Sequence, residues 1–127
     1  SGNEPDESGE CGVIINTASG AAWQGQVGQA AYSASKAGVI GLTLPAARDL
    51  AEHAIRVVAI APGLFETSMV ASMPDTVSRS IIDRMILFPE RMGQPQEFAM
   101  LVRQIVENPY LNATTISIDA GARMTPR

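Results

Sequence analysis

Three short apolar runs, at 12–18, 56–61 and 114–119, stand apart by stretches long enough to hold helices, and this alternation limits the fold more than any other feature. Each run is continuously apolar rather than alternating, the pattern of a strand covered on both faces in a parallel sheet. Parallel neighbours need a long crossover between them, and such crossovers are right-handed with the helix lying on a sheet face. The order strand, helix, strand, flap and helix, strand therefore predicts an α/β fold with helices on both faces of a doubly wound parallel sheet. Ligands in such sheets bind beyond the carboxyl ends of the strands. Ser19 follows the end of the first run and Pro62-Gly63 the end of the second, so both converge on one crevice.

The intervening segments fit this plan. Residues 1–11 hold Gly, Ser, Pro and acid without apolar periodicity, and read as an acidic, flexible, exposed loop. A Gly- and Gln-rich loop from Gly20 to Gln29 leads into a helix expected over 30–52, which Pro45 should bend. Its small residues Ala31, Ala34, Ala37, Gly38 and Gly41 permit close approach to a sheet or to another helix. Residues 64–92 have a weak helical pattern and read as a substrate flap with one or two short helices, its Met69, Met73 and Met85 suited to an adaptable apolar surface. Pro95 opens a periodic helix with Glu97 in the first turn and the stripe Phe98, Ala99, Leu101, Val102, Ile105 and Val106, ended by Asn108-Pro109.

Composition narrows the class. The 127 residues allow one domain, and 46% hydrophobic content allows a core. The net charge of −4 is carried by Glu4, Asp6, Glu7 and Glu10, because the rest of the chain balances nine acids against nine bases. With no basic run, nucleic-acid binding has no electrostatic support. No stretch reaches the ~20 apolar residues of a membrane span. The single cysteine, Cys11, cannot close an internal disulfide, which fits a reducing, cytoplasmic setting. No metal ligands are assigned.

Ser19, Tyr32 and Lys36 carry the chemistry. A tyrosine and a lysine four residues apart share a helix face, one turn from each other, so the ammonium can stand near the phenol. The positive charge favours phenolate and pulls the tyrosine pKa down from its reference of ~10. Ser19, at the end of the preceding strand, would hold the oxygen whose proton Tyr32 exchanges. This is general acid/base equipment for interconverting an alcohol and a carbonyl. Lys36 is the only lysine of the chain; the other eight bases are arginine.

With these motifs in this order, the chain resembles the short-chain dehydrogenase/reductase family from Gly12 to its end. The resemblance is carried by Val13-Ile14-Ile15-Asn16-Thr17-Ala18-Ser19, by Gly25 to Lys36 with its Tyr-Ser-Ala-Ser-Lys, by Ile60-Ala61-Pro62-Gly63-Leu64-Phe65, and by Glu107 to Asn112. It implies a Rossmann-like domain and a nicotinamide cofactor, NAD with NADP not excluded. It also implies hydride transfer to or from a secondary alcohol or ketone, with a 3-hydroxyacyl-CoA of fatty acid metabolism as the expected small-molecule substrate. Ser19 would polarise the substrate oxygen, Tyr32 would exchange the proton, and Lys36 would lower the Tyr32 pKa and bond the nicotinamide ribose. Pro62, Gly63, Phe65 and Thr67 would line the nicotinamide, with Tyr32 and Lys36 completing the cofactor site. Gln26 is the weaker candidate for a substrate contact beside Ser19 and Tyr32.

The family's strand, glycine-rich turn and helix that hold the cofactor pyrophosphate have no counterpart here. Gly20, Gly25 and Gly28 follow the wrong strand to supply them. Residues 12–127 therefore look like the carboxyl-terminal half of such a domain, with the amino-terminal half expected elsewhere. The family also implies a homotetramer built through the long helix and through the last helix and strand. Two alternatives stand beside the dehydrogenase: a non-catalytic oligomerisation or interaction fragment, and a reductase of steroids or acetoacetyl-CoA-type esters. An epimerase or dehydratase also uses Tyr-x-x-x-Lys, but carries a larger carboxyl-terminal substrate domain than the short flap and one helix seen here.

Overall fold

The computed structural model describes residues 4–7, 9–18 and 30–122, with the backbone alone at 30–33, 69 and 70. Its elements are β1 (Gly12–Thr17), α1 (Ala30–Leu50), a 3-10 turn (Ala51–His53), β2 (Ile55–Pro62), α2 (Ser68–Ala71), α3 (Asp75–Met85), α4 (Pro95–Glu107) and β3 (Thr114–Ile118). The strands form a parallel sheet in the order β1-β2-β3. The three apolar runs are thus the three strands, and the flap holds the two short helices α2 and α3. α1 runs on through Pro45, and the Thr43 hydroxyl donates to the Val39 carbonyl at 2.9 Å in the turn before it.

Pleating sorts the strand residues to two faces. Val58 and Ile60 share one face with their register partners Ile15 and Ile116, and with Val13 and Ile118. There α4 lays down Phe98, Leu101, Val102 and Ile105, the apolar stripe legible in the sequence, and Ile105 is fully buried. Val57, Ala59 and Ala61 occupy the other face, where their small size lets α1 press close to β2 through Thr43 and Ala47, both buried.

Cover on both faces, expected for the strands, holds for β2 and not for β1. Ile14, opposite Val57 on the α1 face, is 41% exposed, because α1 lies over β2 and β3. The small-residue side of α1 is likewise turned from the sheet. Ala34, Ala37, Gly38 and Gly41 are exposed, a Cβ at either glycine would meet nothing within 4 Å, and Leu42 and Leu44 lie exposed on the same helix. Of the two roles expected for those residues, approach to the sheet is not the one used among the described residues.

At the amino ends of the strands the acidic loop is partly docked. Glu4 to Glu7 and Gly9 are exposed as expected, but Glu10 turns inward to pair with Arg56, which is buried in β2. Arg56 also donates to the carbonyls of Leu111 at 2.9 Å and Val106 at 3.2 Å. One guanidinium so joins the entry to β1, the end of α4 and the approach to β3. Among the described residues no helix is long and apolar enough to cross a membrane.

Candidate active site beyond the strand carboxyl ends

α1 carries the Tyr32 and Lys36 backbones one turn apart, with Tyr32 near the start of the helix and Lys36 half-buried. Ser19, Gln26 and the Tyr32 side chain lie outside the described residues. Ala18, just before Ser19, is buried and donates from its N–H to the Ile60 carbonyl at 2.6 Å, which extends the β1–β2 ladder and seats the chain at the carboxyl end of β1.

After β2 the chain turns through Pro62, Gly63, Leu64, Phe65, Glu66 and Thr67 into α2, with the Thr67 carbonyl accepting from the Ala71 N–H at 2.9 Å. Gly63 donates to the Ile118 carbonyl at 2.9 Å and lies so close to Asp119 that a Cβ would stand 2.6 Å from the Asp119 Cβ and 2.9 Å from its Cα. Only glycine fits that crossing of the β2 and β3 exits. Phe65 forms a parallel bridge with Gly93 in which the Glu66 N–H donates to the Gly93 carbonyl and the Gly93 N–H to the Leu64 carbonyl, both at 2.8 Å. In a parallel bridge the paired residue's own groups point to the opposite edge. Neither the Phe65 N–H nor its C=O is hydrogen-bonded among the described residues. A donor and an acceptor held side by side on one peptide edge fit a primary carboxamide, the group a nicotinamide presents.

The turn is braced from behind by groups that the motif reading did not single out. The Phe65 ring meets Phe98 edge-to-face at 5.9 Å. Glu66 accepts from the Gln94 side chain at 3.0 Å. Glu97 takes two hydrogen bonds from Arg91, at 2.7 and 2.8 Å, and one from the Gln94 N–H at 2.8 Å. These bonds, the Arg91 pair first, hold the Glu97 carboxyl down at about 2 and raise Arg91. The spacing Gln94-Pro95-x-Glu97, with proline at the first helical position and an acid able to reach back to the cap, was the signal for this joint. A cleft of about 160 Å³ opens between Leu64, Phe65, Arg91, Glu97, Asp119 and Ala120. Lys36 does not line it, so it is separate from the helix face that carries the proposed proton relay. Among the described residues no group of three or more His, Cys, Asp or Glu could hold a metal ion.

Comparison with known proteins agrees with this layout. The short chain dehydrogenase family matches residues 5–78. The chain is 57% identical over 98% of its length to rat 3-hydroxyacyl-CoA dehydrogenase type-2, and covers 47% of that protein. It is 39% identical over 95% of its length to ipsdienol dehydrogenase of Ips pini, again covering 47% of the relative. The crystal structure of 3-hydroxyacyl-CoA dehydrogenase type-2 from Mycobacterium avium superposes with a TM-score of 0.94 at 43% identity, over 99% of this chain and 48% of that one. The chain thus spans about half the length of the relatives it matches. With its parallel sheet, its Tyr-x-x-x-Lys helix and the glycine turn after β2, the chain belongs to the short-chain dehydrogenase family.

Proposed function

We propose that this chain supplies the proton-transfer and nicotinamide side of an oxidoreductase that acts on a secondary alcohol or ketone, with a 3-hydroxyacyl-CoA as substrate and NAD as cofactor. The observation that carries the reading is the Phe65 peptide edge, a donor and an acceptor without partners among the described residues, at the carboxyl end of β2. When bound, the nicotinamide accepts or delivers the hydride. Phe65 would hold its carboxamide, Pro62, Gly63 and Thr67 would line its ring, and Lys36 would bond its ribose. Ser19 would fix the substrate oxygen, with Gln26 as a lesser contact. Tyr32 would take the alcohol proton or return it, its phenol acidified by Lys36. The names of two relatives support the acyl-CoA substrate, while ipsdienol dehydrogenase, at lower identity, is named for another alcohol. NAD rather than NADP rests on that subgroup resemblance alone.

On this reading residues 12–127 are the carboxyl-terminal half of one Rossmann-like domain, and the pyrophosphate is held by polypeptide other than these residues. A homotetramer is supported by the outward face of α1 and by Met100 and Val106, exposed on α4. The single cysteine fits a reducing, cytoplasmic compartment. Tyr32→Phe in the full-length protein tests the assignment. Turnover of a 3-hydroxyacyl-CoA with NAD should fall by about 10²–10⁴-fold, with NAD affinity unchanged within about threefold, because only the proton-transfer group is removed. Retention of more than about a tenth of the activity would contradict it.

A further inference from the structure

The turn from Pro62 to Thr67 has to present the Phe65 peptide at one place, and what sets that place is on its far side. Leu64 and Glu66 are bonded to the two backbone groups of Gly93, so the Phe65 edge moves with Gly93. The ring reinforces this. A Cβ on Gly93 would lie 2.6, 2.7 and 2.9 Å from three atoms of the Phe65 ring, and Phe98 closes another side of that ring. Gly93 is itself held by Arg91, whose guanidinium bonds both the Met92 carbonyl at 3.1 Å and Glu97, and by Gln94, which reaches both Glu97 and Glu66. The Phe65 peptide therefore stands on a chain of contacts running back to the first turn of α4.

We infer that Gly93 is a positioning residue for the cofactor carboxamide: its missing side chain seats the Phe65 ring, and its bridge aims the Phe65 N–H and C=O. The inference rests on reading Pro62 to Thr67 as the nicotinamide turn, and it adds the residue that sets the geometry of that turn without touching the cofactor.

The test compares NAD with an NAD analogue whose pyridine ring lacks the carboxamide, both titrated calorimetrically into the full-length protein. Gly93→Ala should weaken NAD by about tenfold, the worth of one amide hydrogen bond, and the analogue by less than about twofold, since it has no carboxamide to misplace. Equal weakening of both ligands would make Gly93 merely structural and overturn the inference. If Gly93→Ala does not fold, Glu97→Gln, which loosens the same segment from α4, carries the test. It should weaken NAD by about threefold and spare the analogue, and equal effects again overturn the inference. The unsubstituted protein distinguishes the two failures. If it binds NAD and the analogue with equal affinity, the nicotinamide reading of the turn is itself wrong.

Discussion

Lys36 is asked to do two things at once, and its removal should show both. In the full-length protein Lys36→Ala takes away the charge that favours Tyr32 phenolate and the group that bonds the ribose. The pH–rate profile should move to the alkaline side and NAD should bind more weakly. A profile that stays in place while activity falls would refute the electrostatic role. Glu97 offers a second titration. Its carboxyl is held at about 2 against an ordinary 4.5, chiefly by Arg91 and then by the Gln94 N–H. A carboxyl lowered in the folded state contributes stability that is whole above 4.5 and is lost as pH falls towards 2. Thermal unfolding followed across that window should lose stability with falling pH less steeply in Glu97→Gln than in the parent. Parallel curves would mean that the pair does not hold the cap in solution.

Among the elements, β2 does the most structural work. Arg56→Ala would leave the Glu10 carboxylate half-enclosed without its partner and two carbonyls without a donor. Breaking a buried pair in this way costs about 3–5 kcal/mol. Urea unfolding of the full-length protein should register the loss, with the active-site chemistry at the far end of the strand unaffected. A shift of less than about 1 kcal/mol would show that the clamp is replaced by water. This joint also marks where reading the sequence stops. The strands were legible because Val57 to Ala61 form an unbroken apolar run, and α4 because Phe98, Leu101, Val102 and Ile105 recur at helical spacing. The Glu10–Arg56 pair spans 46 residues, and each partner looks like an ordinary solvated charge until the sheet brings them together. Ile14 misled in the other direction, since a continuous apolar run does not say which of its faces a helix will reach. At the site, the residue types of the relay and the turn stood out by spacing, whereas Gly93 acts by lacking a side chain and could be found only once the Phe65 ring was seen against it.

For the whole molecule, the division of labour between the proposed halves has a measurable consequence. Residues 1–127 contain the nicotinamide turn but no glycine-rich turn entering a helix to cradle the pyrophosphate. The chain alone should bind NAD no more tightly than millimolar, about 4 kcal/mol, and should show no dehydrogenase activity. Calorimetry on material of verified mass decides this, and micromolar binding would withdraw the roles given to Pro62, Gly63, Phe65 and Thr67.

The edge of β1 turned away from β2 gives that division a physical address. Its row of peptide groups pairs with nothing among the described residues, and Ile14 lies open beside it. Such an edge recognises a newcomer by main chain alone. The line between holding phosphate and moving protons thus coincides with a line of backbone hydrogen bonds, a zipper along which this kind of enzyme could be cut into two genes and rejoined, with Ile14 leaving water as the sign that the second piece has docked.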